Sequence, residues 1–176
     1  MAVDNKQGNL EKIFNEYFEK TGFNDDKVDE YFEMFTKYLR YDNVKETILN
    51  VIKNSEEYRK KTLDDLSKTS FSEREKEKLF STIMKHNYLA DIDEIIICAN
   101  NALSDEHEAL VYKINKSPSE KAKNTLRDKN NRVKREAYKL KDKHEEMRAI
   151  TIKTKKESDK AKEKIQKNIK KNEKRR

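Results

Sequence analysis

Three residues of this 176-residue chain readily break a helix: Gly8, Gly22 and Pro118. Ordinary usage would supply roughly twenty glycines and prolines in a chain this long. A chain so poor in both makes few tight turns, which sets aside hairpin-rich sheets, Rossmann folds and glycine-rich phosphate loops. The one cysteine, Cys98, allows neither an internal disulfide nor a cysteine-based zinc cluster. The expected fold class is all-α.

Charge divides the chain at its proline. Residues 1–116 hold 18 Lys and Arg against 24 Asp and Glu, a net of −6, and residues 117–176 hold 23 against 10, a net of +13. Fourteen of the fifteen Phe and Tyr precede Pro118, and Tyr138 alone follows it. Aromatic side chains bury large areas and dominate cores. The expected organisation is therefore an acidic, aromatic-rich bundle over 1–116, followed by a long basic helix over 117–176 with a frayed end.

Within 1–116 the apolar spacing reads as a compact bundle of about seven short helices. Leu10, Ile13, Phe14, Tyr17 and Phe18 form the first stripe, which Gly22 closes. Asn24 or Asp25 caps a second, with Val28, Tyr31, Phe32, Phe35 and Leu39 on one face. Asp42 or Asn43 opens a third, with Val44, Ile48, Val51 and Ile52 inward, and a weaker stretch follows through Tyr58, Leu63 and Leu66. Ser72 and Glu75 make a capping box ahead of Leu79, Phe80, Ile83 and Met84. Two further helices carry Ile92, Ile95, Ile96 and Ala99, then Leu103, Leu110, Val111 and Ile114, with Ser104 as the cap between them.

The basic segment opens at Ser117-Pro118-Ser119-Glu120, read as N-cap, first-turn proline and a glutamate at the third position. No glycine or proline follows, so one helix of roughly 80 Å is expected, at 1.5 Å per residue. Leu126, Val133, Leu140 and Met147 repeat every seven residues as a seam. The companion row is Asn130, Ala137, His144 and Thr151, which makes it a weak coiled coil. Past Met147 the seam reads Thr154, Ala161 and Asn168 and fades, so pairing is expected over 119–150, with a second copy or back on the bundle.

Beside the seam runs a row in which every member is basic: Arg127, Lys134, Lys141, Arg148, Lys155 and Lys162. Such a row is a ladder of cations about 10 Å apart, suited to nucleic-acid phosphates or to an acidic protein surface. Six phosphate contacts give a slope of log K on log salt of about −5. A straight helix drifts about 20° per heptad, so the row keeps one face only if the helix supercoils. No constellation for reading base edges accompanies it.

Other chemistries find little support. A helix-turn-helix around Gly22 would present Asp25, Asp26, Asp29, Glu30 and Glu33 to phosphates. His86, His107 and His144 lack metal-ligand spacing, and Asp91-Ile92-Asp93-Glu94 lacks the glycine of a calcium loop and reads as helix capping. His107, among Asp105, Glu106 and Glu108, has no nucleophile or oxyanion stabiliser recognisable beside it. Cys98, next to Ile95 to Ile97, is expected buried and inert.

The longest apolar run, Ile95 to Ala99, is too short to span a bilayer, and Met1 to Asn9 hold no apolar signal region. The expectation is a cytoplasmic, non-enzymatic accessory or regulatory protein with no cofactor, metal or membrane insertion. Its basic helix contacts nucleic acid without sequence specificity, and its bundle binds a protein. The alternative is a scaffolding protein, a possible homodimer, whose long helix self-associates through the seam while its basic tail docks on an acidic partner. Electrostatic attachment to anionic lipid through 148–176 ranks last, because that stretch lacks a large apolar face.

Overall fold

The computed structural model describes residues 27–175, together with Leu10, Lys12 and Glu16. The described residues are helical, with no strand, in four helices: α1 Lys27–Thr36, α2 Asp42–Ser67, α3 Glu73–Lys116 and α4 Glu120–Lys174. The first predicted helix, apart from Leu10, Lys12 and Glu16, its Gly22 terminus and the Asn24 or Asp25 cap lie outside the described residues.

The bundle of seven short helices is corrected to fewer, longer ones. α2 spans 26 residues and joins the predicted third helix to the weak stretch after it. α3 spans 44 and joins three predicted helices into one rod of about 66 Å. Asp91, Asp93 and Ser104, read as caps, lie inside it. A capping residue favours a helix start, but it costs only a fraction of a kcal/mol in a helix interior and stops nothing. Neither glycine nor proline lies between Gly22 and Pro118.

Asp105 separates the two descriptions. After a Ser104 cap it would occupy the first helical position, where proline is favoured. Inside α3, proline there removes a backbone hydrogen bond and clashes with the preceding turn, at a cost of about 3 kcal/mol. Asp105→Pro is expected to lower the urea midpoint accordingly, and an unchanged midpoint would restore the break at Ser104.

Where true ends occur, their chemistry is visible. Ser72 Oγ accepts from the Glu75 N–H at 3.2 Å and starts α3. The reciprocal half of the capping box is replaced, because the Glu75 carboxylate binds Lys164 instead. Pro118 holds Ser117 extended, at φ −72° and ψ 131°, which ends α3. The cap of α4 is Ser119 and not Ser117: its Oγ accepts from the Ala122 N–H at 3.1 Å.

Pro118 thus forms the tip of a long helical hairpin, with α4 running back along α3. His107 Nδ1 meets Asn130 Oδ1 at 2.6 Å, and fourteen residues further along each helix His144 Nδ1 meets Asp93 Oδ1 at 2.7 Å. His86 Nδ1 lies 2.9 Å from Thr154 Oγ1, and Ser70 N donates to Asn168 Oδ1 at 2.9 Å. α2 lies antiparallel on α3, with Thr47 against Cys98 and Ser55 against Asn87.

The core draws on both sides of the proline. Phe35, Val44, Ile48, Tyr88, Ile92, Ile96 and Leu103 are buried with Val133, Leu140 and Met147 of α4. A second cluster joins Leu66, Leu79 and Ile83 to Ala161, Ile165 and Ile169. The seam therefore extends past 150, where it had been expected to fade. Between the two clusters Thr154 and Ser158 are buried as well. Small side chains let two helices approach closely, so this stretch packs without the large apolar residues that announce a seam.

Candidate nucleic-acid interface on the long helix

The six-cation row is unevenly presented along α4. Arg127, Lys134, Lys141, Arg148 and Lys155 are exposed, and Lys162 is half-buried. At the start of the helix, Arg127 Nη1 lies 3.3 Å from Asn124 Oδ1 and 3.9 Å from Glu120 Oε2. At the other end, Lys162 Nζ sits 5.0 Å from the centre of the Tyr58 ring on α2. The next member of the row is Ile169, which is buried in the second cluster. This is the drift of a helix that does not fully supercoil: over six heptads the row turns from solvent into the core.

Lys134, Lys141, Arg148 and Lys155 form the open middle. None has an ion-pair partner within 4.0 Å among the described residues, whereas Lys123, Lys143 and Lys167 pair with glutamates one turn away on α4 itself. Lys164 reaches across to Glu75 on α3. The hairpin is thus closed chiefly by apolar and small residues, and among the described residues the acidic first segment supplies no ion-pair partner to these four cations. At about 10 Å per heptad, the four cations span about 32 Å.

The seam residues are placed differently. Val133, Leu140 and Met147 are buried against the same chain, and Leu126 is half-buried beside them. Tyr31 of α1 donates its hydroxyl to Met147 Sδ at 3.6 Å. The row offered as an oligomer seam is occupied by the chain's own helices.

All three histidines bridge α3 and α4, a pattern the sequence did not disclose because each partner lies on the other helix. His107, considered as a general base, is held by Asn130. Asp93, read as a cap, holds His144, and Asp91 accepts from Asn87 Nδ2 at 3.3 Å. Among the described residues no three His, Cys, Asp or Glu side chains gather as metal ligands. Cys98 is half-buried rather than buried, with Thr47 Oγ1 donating to its Sγ at 3.2 Å.

Burial lowers the pKa of His86 from its ordinary value, aided by Lys162 and Lys155 and opposed by Asp159. A lowered folded-state pKa means that the unfolded chain takes up the proton more readily. The contribution of His86 to stability is therefore complete above the unfolded value near 6.5 and declines as pH falls through and below it. The expected result is a urea midpoint that drops from pH 7.5 to 5.5, with a smaller drop in His86→Gln. Equal drops in both proteins would remove His86 as the cause.

No helix among the described residues is long and apolar enough to cross a membrane. No protein-family model, no curated protein and no solved structure matches this chain.

Proposed function

We propose that this chain is a non-enzymatic accessory or regulatory protein whose long basic helix binds nucleic acid through its phosphates, without reading sequence. The supporting observation is the open middle of the row: Lys134, Lys141, Arg148 and Lys155, exposed on one rigid helix and without internal ion-pair partners among the described residues. Fixed cations at regular spacing bind a polyanion by releasing its condensed counterions, and they need no base contacts to do so. Tyr138, 69% exposed on the same helix, is one aromatic and makes no stacking platform. In this reading the acidic N-terminal part serves a protein partner, and Leu49 and Leu63, exposed on α2, are apolar residues available for that contact.

The test is a gel shift with random duplex DNA and RNA. With four effective contacts, log K falls against log salt with a slope of about −3.6, shallower than the value of about −5 for all six. Affinity is then expected to drop roughly 150-fold between 50 and 200 mM salt. Absence of binding at the lower salt would overturn the reading.

A further inference from the structure

A second cationic surface lies on a different face of α4 from Lys155 and Lys162 of this row, where the start of α3 meets the last third of α4. Here the two helices enclose an open groove of about 600 Å³. Arg74 and Lys78 line it from α3, and Lys160 and Lys164 from α4. Two carboxylates, Glu75 and Glu157, line it as well, and Glu75 is already bonded to Lys164. Arg74, Lys78 and Lys160 have no ion-pair partner among the described residues, leaving three free cations against Glu157. Two other grooves differ in sign: that around His86 and Lys155 carries Asp93 and Glu94, and that around Lys76 carries Glu73 and Glu77. A third has Lys61 and Lys162 against Asp65, fewer cations than here.

Each helix places its two cations four residues apart, on one face and about 5–6 Å from each other. Like charges at that spacing repel, and packing α3 on α4 brings the two pairs to one groove. With Lys164 held by Glu75, the charge left for a bound anion to neutralise is that of Arg74, Lys78 and Lys160. A ligand with several negative charges in a small volume fits it better than a single carboxylate, because the cations come from both walls. Ser72 and Thr82 add hydroxyls to the lining.

We propose that this groove binds a compact anion bearing two or more adjacent phosphates. The site uses residues outside the six-cation row, and it stands or falls independently of nucleic-acid binding by that row. Adjacent phosphates come from two sources, a free polyphosphate chain or the backbone of a nucleic acid, and the chemistry at the groove is the same for both.

Titration calorimetry of the full chain with inorganic tripolyphosphate, at about 50 mM salt, tests the proposal. Saturable 1:1 binding is expected, weakened at least about tenfold in the double variant Arg74→Ala, Lys160→Ala, since charge-assisted hydrogen bonds are lost on both walls. The double variant Lys134→Ala, Lys141→Ala is expected to change it less than about threefold, because screening isolates charges more than a Debye length away. Thermal melting verifies that both variants are folded. Lack of saturable binding, or equal weakening in the two variants, overturns the groove as a site. With the site established, competition by a random oligonucleotide assigns the source: displacement of tripolyphosphate points to backbone phosphates, and retention to a free polyphosphate.

Discussion

Leu140→Ala is expected to destabilise the protein by about 3 kcal/mol, within the range of roughly 2–5 kcal/mol for emptying a fully buried leucine site. Leu140 is 1% exposed, at the middle of the α3–α4 interface, and shares its cluster with Ile92, Ile96 and Met147. Truncation removes its transfer energy and leaves a cavity that two rigid helices cannot close. Against a total stability of about 5–15 kcal/mol, this is a large fraction. Tyr138→Ala, two residues away and 69% exposed, is expected to stay within about 0.5 kcal/mol. The midpoint in urea is also expected to be independent of protein concentration, since the leucine is buried against its own chain. A midpoint that rises with concentration would show instead that α4 pairs with a second copy.

Most of the buried stripes are legible from spacing alone, although Leu63 and Val111, which spacing places in them, are exposed. Val44, Ile48, Val51 and Ile52 are buried, as are Leu79, Ile83, Met84, Ile92, Ile95, Ile96 and Ala99. The joints between helices are not legible. Ser104 and Asp91 carry the side chains of caps, yet a cap acts only where the chain already turns, and no residue nearby forces a turn. The absence of glycine and proline that makes α4 continuous holds equally for α3. At the one proline the boundary was found, but Pro118 ends a helix by constraining Ser117 before it begins the next.

The candidate surface was legible only as far as one helix could show it. The basic row is a property of local sequence, so its six members were visible. Which of them remain open depends on the partner helices: Tyr58 lies under Lys162, and the row ends in the core at Ile169. The lower seam was hidden for another reason. Thr154, Ser158 and Ala161 are too small or too polar to register as apolar periodicity, although all three are buried. The groove beside Arg74 was beyond a reading of single helices, because its cations come from segments some eighty residues apart.

Reversing the open middle of the row, with Lys134, Lys141, Arg148 and Lys155 all changed to Glu, is expected to weaken nucleic-acid binding at least about 100-fold at 50 mM salt. Four contacts are lost and four repulsions are gained at the same positions. Net charge is the competing explanation, since each reversal moves it by two and four of them carry +7 to −1. The control is a second quadruple variant of identical charge, with Lys53, Lys60, Lys61 and Lys85 changed to Glu. These four are exposed on α2 and α3. If the cations of α4 are the contact, the control keeps affinity within about tenfold, because at 50 mM salt the field of a surface charge is screened over about 14 Å. If both variants lose binding equally, attraction is a matter of overall charge and the row has no special part. Both are expected to melt within a few degrees of the parent protein, since exposed charges contribute little to stability. The retained fold makes the ratio of the two affinities a measure of position alone.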